Sequence, residues 1–208
     1  MAQINDYLIY NHFDLWRVAQ HTQFIFWGGA NDILNSLSNQ SLTAQGVLAP
    51  TAPVAAGLPL LIASQIEKLV IAGALDILVI SLPPLANAPA QSSIFSTSQL
   101  DLLSQVTTTV NQDIQGNISA ITAPGVTIKF FDAVQFIDTI LANPAAYGLV
   151  NVVAPCFSNY EAFITGVGGE TPIVCPNPDQ FLFWDGEHPT TRIQTIFAQA
   201  VMQFLGWQ

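Results

Sequence analysis

Three short apolar runs, each leading into a stretch of helical periodicity, constrain this chain more than any other feature. Phe24-Ile25-Phe26-Trp27 is bounded by Gly28-Gly29. Ile77-Leu78-Val79-Ile80 sits within Asp76 to Leu82 and is ended by Pro83-Pro84, and Gly125 to Phe131 runs directly into a helix from Asp132 to about Ala142. The first two runs, short and closed by turn residues, read as buried strands, and the third reads as a further strand. Between them, residues 59–73 place Ile62, Ile66, Leu69 and Val70 on one helical face, with Gly73 as the stop. A helix of about twenty residues starts near Ser98 and keeps Leu103, Val106, Val110, Ile114 and Ile118 in register. Strand alternating with helix is the rhythm of a parallel sheet covered by helices on both faces, an α/β fold.

The remaining segments are less regular. Residues 2–10 read as the end of a helix with Ile4, Leu8 and Tyr7 on its apolar face, followed by a polar stretch with His12, Arg17 and His21. A long uncharged loop is expected after Asp32, running to about Leu58, and its part from Leu34 to Leu58 is either an apolar lid or a surface loop. Residues 143–180 read as irregular, and Thr190 reads as the cap of a terminal helix carrying Ile193, Ile196, Phe197, Ala200, Val201, Phe204 and Leu205. Neither a repeat nor a linker divides the sequence, so residues 1–208 are expected to form one domain.

Charge narrows the partners. With 14 acidic and 4 basic residues the net charge is -10, and Arg17, Lys68, Lys129 and Arg192 cannot assemble a basic patch for nucleic acid or anionic lipid. No transmembrane helix is convincing, because Pro50, Pro53 and Pro59 break one uncharged stretch and Asp76 with Pro83-Pro84 interrupts the other. The start of the chain lacks a signal peptide. Cys156 and Cys175, in one Pro/Gly-rich segment, suit a local disulfide, with two buried thiols as the alternative. Together with the sequons at Asn39 and Asn117 this favours an extracellular, secreted protein. His12, His21 and His188 are dispersed without ligand spacing, so neither a metal nor a cofactor is expected.

Chemistry concentrates in Phe183-Trp184-Asp185-Gly186-Glu187-His188-Pro189-Thr190. A carboxylate and an imidazole three residues apart on a tight turn can pair through one ring nitrogen, which leaves the other to take a proton from a nucleophile. The plainer alternative is a charged turn before a helix. Gly29-Ala30-Asn31-Asp32 follows the first strand on the ligand-binding rim of such a sheet. There Asn31 can donate a hydrogen bond to an oxyanion, or the pair can simply cap a turn.

Taken in order, Gly-x-Asn-Asp after a strand and Asp-x-x-His-Pro before the last helix resemble the GDSL-type, or SGNH, ester hydrolases. Trp27-Gly28-Gly29-Ala30-Asn31-Asp32, Leu82-Pro83-Pro84-Leu85, Asn143-Pro144 with Tyr147-Gly148, and Cys175-Pro176-Asn177-Pro178 look like the lecithinase/haemolysin-like and fungal acetylesterase branch. The resemblance implies a three-layer α/β/α sandwich and carboxylic-ester hydrolysis. It makes His188 the general base, Asp185 its orienter and Asn31 an oxyanion donor, with Asp32 bonded to Asn31, and with Gly29, Asp32 and Trp184 near the substrate. Ester, lipid or acetylated carbohydrate would be the substrate.

The family's Ser nucleophile lies in a Gly-Asp-Ser block on a first, central strand, and no Gly-Asp-Ser or Gly-x-Ser-x-Gly occurs here. The expectation is therefore a domain lacking its first strands and nucleophile block. Its strand at Phe24 would present an open apolar edge prone to self-association. Two further readings are a noncatalytic carbohydrate- or lipid-binding remnant, and direct activation of water by Asp185 and His188.

Overall fold

Strand β2 (Asp76–Ile80) is the centre around which the first part of the chain is built. Its residues Ile77, Leu78, Val79 and Ile80 are all buried, as a strand covered on both faces must be. It pairs in parallel with β1 (Gln23–Trp27) on one side and β3 (Thr127–Phe131) on the other. The computed structural model describes residues 2–10, 19–38, 48–159 and 173–207. His12, Arg17 and the sequon at Asn39 fall outside that set. Within it the fold is α/β with a parallel sheet, as the alternation of strands and helices requires.

The described helices are α1 (Ala2–Tyr10), α2 (Ala30–Ser38), α3 (Leu48–Ile71), α4 (Pro89–Ile94), α5 (Thr97–Ser119), α6 (Ala133–Ala142) and α7 (Thr191–Leu205). The periodic positions of α5, Leu103, Val106, Val110, Ile114 and Ile118, are all buried, and so are Ile62, Ile66 and Leu69 of α3. Asn117 lies in the last turn of α5, so this sequon is helical and not part of a surface loop. No described helix is long and apolar enough to cross a membrane.

The chain forms two compact units, residues 1–83 with 102–133, and residues 84–101 with 134–208. In the first, β1, β2 and β3 align so that Gln23 faces Asp76, Asp76 faces Thr127, and Trp27, Ile80 and Phe131 end level with one another. The segments leaving this rim therefore start together, at the C-terminal ends where α/β sheets bind ligands. In the second unit β4 (Asn151–Pro155) runs parallel to β7 (Phe181–Phe183), and β5 (Phe157–Ser158) pairs antiparallel with β6 (Ile173–Val174). Its core is Ile140, Leu149, Leu182, Phe183 and Ile193, with Phe136 and Ile196 packed against it. Cys156 and Cys175 form the expected disulfide beside the β5–β6 pair.

Four expectations are corrected. Strand β1 is not buried on both faces: Ile25 and Trp27, which share one face, are about half exposed, at 50% and 51%, and among the described residues β1 pairs with β2 alone. The long loop expected after Asp32 is largely helix, with α2 covering residues 30–38 and α3 starting at Leu48 instead of 59. Residues 39–47 of the proposed lid lie outside the described residues. Pro50 stands in the first turn of α3, where its missing N–H has no helical partner to lose, while Pro53 and Pro59 each forgo one bond. The stretch 143–180 contains β4, hidden from pattern reading because it is short and ends in Pro155. Finally, Thr190 occupies the N-cap position of α7 without a side-chain cap bond; its hydroxyl donates to Phe181 O at 2.8 Å.

Candidate active site

Strand β7 delivers the Asp185 loop, and the loop's own backbone closes it. Trp184 N–H donates to His188 O at 2.8 Å, Pro189 bridges back to Phe183, and Thr190 N–H donates to Leu182 O. Phe157 N–H binds Trp184 O, and the Phe157 ring stacks on Trp184 with centroids 5.5 Å apart. Trp184 is thus anchored by packing at the base of the loop. At Gly186 an added Cβ would lie 3.1 Å from Ala90 Cβ, and Gly186 O accepts Ala90 N–H at 2.8 Å, so a larger residue here would press on α4.

Within the loop, Asp185 Oδ1 accepts the backbone amides of Glu187 and His188 at 2.8 and 2.7 Å. The same carboxylate meets His188 Nδ1 at 3.0 and 2.9 Å through its two oxygens. Only 6% of the Asp185 side chain is exposed, against 65% for His188, so the imidazole alone can meet a substrate. Burial by itself would raise the Asp185 pKa. The amides of Glu187 and His188, then the imidazole of His188, outweigh it and hold the carboxyl below its ordinary value. An ionised carboxylate fixed in this way keeps the proton of a neutral imidazole on Nδ1. Among the described residues Nε2 has no hydrogen-bond partner, and it can accept a proton from a hydroxyl.

Asn31 and its neighbours belong to the other unit. β1 ends at Trp27, Gly28 and Gly29 turn the chain, and α2 begins at Ala30 with Ile33 N–H bonded to Gly29 O. Gly29 has φ +105, and a Cβ there would lie 3.0 Å from Leu58 Cδ2 and 3.3 Å from Leu82 Cδ2. Both its conformation and its close neighbours therefore demand glycine. Asn31 and Asp32 stand exposed in the first helical turn, where Asp32 complements the positive end of the helix dipole. Consecutive helical positions diverge by about 100° around the axis. Among the described residues neither side chain has a hydrogen-bond partner, so the expected Asp32–Asn31 bond is not made. A cavity of about 400 Å³ runs along β1 to this turn, lined among others by Tyr7, Phe24, Phe26, Gly29, Asp32 and Leu58.

Sequence reasoning missed two supports of this machinery. One is α4, whose Ala90 holds the Asp185 loop; a six-residue helix opened by Pro89 gives no periodic signal. The other is the pair of amides on Asp185, a consequence of loop geometry that side-chain spacing does not reveal. Described His, Cys, Asp and Glu residues form no group that could hold a metal ion.

The sequence model of the GDSL-like lipase/acylhydrolase family matches residues 5–201. The anther-specific proline-rich protein APG of Arabidopsis thaliana is 33% identical over 141 residues, 64% of this chain and 26% of that protein. A GDSL esterase/lipase of the same plant is 37% identical over 78 residues, 36% of this chain and 20% of the relative. The thermolabile hemolysin of Vibrio parahaemolyticus is 24% identical over 145 residues, 68% of this chain and 34% of the relative. The matches thus span between a fifth and about a third of the length of these three relatives. A family match across nearly the whole sequence, on a parallel α/β sheet with an Asp–His pair before the last helix, assigns the chain: it belongs to the GDSL-like lipase/acylhydrolase family.

Proposed function

We propose that this chain carries the general base and the oxyanion donor of a carboxylic-ester hydrolase that works by acyl transfer from a serine. The observation that supports this most is the Asp185–His188 pair. A buried carboxylate, locked by two backbone amides, holds one nitrogen of an exposed imidazole at 2.9 Å. In this reading His188 Nε2 takes the proton of a Ser hydroxyl as the oxygen attacks the ester carbonyl. It then returns the proton to the leaving alcohol, and a water molecule repeats the cycle on the acyl-enzyme. Asp185 stabilises the transient imidazolium, and Asn31 donates to the oxyanion. Gly29 and Asp32 shape the turn that presents Asn31.

The serine, in this proposal, comes from a strand outside these 208 residues that lies along the open side of β1 and completes a single SGNH domain. Its support is that, among the described residues, β1 pairs with β2 alone, and that a cavity lies beside it. The whole protein is then a secreted, disulfide-bonded enzyme acting on a small ester, a lipid or an acetylated sugar. Without that strand the 208-residue chain should self-associate through β1. A soluble monomer with one cooperative thermal transition would contradict the strand proposal.

The test is labelling with a fluorophosphonate, which reacts with activated serines. A chain extended through its upstream coding sequence should be labelled on the serine of a Gly-Asp-Ser block, and His188→Ala should suppress labelling. Equal labelling of the His188→Ala form would remove His188 from the mechanism.

A further inference from the structure

We infer that Asn111, in the middle of α5, is a positioning residue that sets the oxyanion turn through Leu82. Two hydrogen bonds carry the argument. Asn111 Oδ1 accepts Leu82 N–H at 2.8 Å, and Asn111 Nδ2 donates to Leu82 O at 3.0 Å. Both polar ends of one buried side-chain amide are spent on the N–H and C=O of a single residue, 29 positions away in sequence. No regular strand holds Leu82, since β2 ends at Ile80, so the side chain of Asn111 stands in for a ladder partner.

The neighbouring residue is fixed as firmly. Ser81 N–H donates to Phe131 O at 3.0 Å, Ser81 Oγ accepts Ala133 N–H at 2.8 Å, and Ser81 O accepts the indole N–H of Trp27 at 3.2 Å. The side chain of Leu82, 1% exposed, reaches Gly29, whose missing Cβ would lie 3.3 Å from Leu82 Cδ2. The chain of contact therefore runs from Asn111 to the Leu82 backbone, through the Leu82 side chain to Gly29, and from Gly29 into the first turn of α2 with Asn31. A helix interior otherwise disfavours Asn, and a buried amide that bonds nothing would cost about 1–3 kcal/mol, so the two bonds to Leu82 are what make Asn tolerable here.

The role in catalysis rests on the reading of Asn31 as oxyanion donor; the positioning itself does not. The experiment compares amide nitrogen–proton NMR spectra of the form extended through its upstream coding sequence with those of its Asn111→Leu, Asn111→Ser and Ile114→Val variants. Leu removes both bonds, and the shorter Ser, which should fold where Leu does not, cannot span both. Ile114→Val loosens the same buried helix without touching Leu82. The Asn111 variants should move the amide signals of Gly28, Gly29 and Asn31 as well as that of Leu82, and Ile114→Val should leave them in place. Signals of Gly29 and Asn31 that stay fixed while Leu82 moves would overturn the inference. If those signals move but an esterase-competent form keeps its kcat, the oxyanion role of Asn31 fails and the positioning role of Asn111 stands.

Discussion

Asp185 grips His188 twice: its Oδ1 accepts the His188 backbone amide at 2.7 Å and its carboxylate meets His188 Nδ1 at 2.9 Å. Backbone and ring of one residue are thus referred to the same buried group, which fixes both the turn and the tautomer. Asp185→Asn keeps an oxygen for the amides but puts a donor where Nδ1–H must donate. If the proposed serine mechanism holds, ester hydrolysis by the form extended through its upstream coding sequence should fall by about 10⁴-fold in kcat with little change in KM. Steady-state kinetics on a chromogenic ester checks both values.

The same grip makes stability depend on pH. The folded-state pKa of Asp185 lies below its unfolded value, so the ionised form is favoured by folding. That contribution is fully present above the ordinary carboxylate pKa of about 4 and is lost as pH falls through the lower folded value. Asp185→Asn should therefore melt below the parent at pH 6, with a gap that narrows as pH is lowered under 4. Thermal melts of both forms across that range decide it, and a gap independent of pH would count against an ionised Asp185.

Gly29 tests the turn after β1. With φ +105 and leucine methyls at 3.0 and 3.3 Å from a would-be Cβ, Gly29→Ala adds backbone strain and crowding together. A loss of about 2–4 kcal/mol is expected from urea unfolding. A change under about 0.5 kcal/mol would mean that the turn relaxes freely.

These particulars also show what pattern reading could reach. Ile77 to Ile80, and Leu103 to Ile118 at helical spacing, announce buried elements because burial on both faces or on one stripe leaves a regular mark. The strand at Asn151–Pro155 leaves none, since it is short and its Val153 is exposed. Helix α3 was hidden by its prolines, which argue for a loop unless one knows that Pro50 lies in the first turn. At the site, the spacing of Asp185 and His188 predicted their pairing. Loop amides and the Asn111–Leu82 clamp arise from chain reversal and from residues far apart in sequence, which no local pattern encodes.

The disulfide between Cys156 and Cys175 closes a separation of 19 residues beside β5 and β6. In the chain-entropy account a loop of that size is worth about 3 kcal/mol. Replacing both cysteines by serine should lower the melting temperature by roughly 6–12 °C, by the scaling for a chain of this size. Differential scanning calorimetry with and without reductant gives the comparison.

The most direct test of the account is hydrolysis of a short-chain chromogenic ester by the 208-residue chain and by a form extended through its upstream coding sequence, each beside His188→Ala. The account predicts no turnover from the 208-residue chain, and turnover from the extended form that His188→Ala abolishes. Turnover from the 208-residue chain that His188→Ala removes would contradict the serine proposal and place the nucleophile, or an activated water, within these residues.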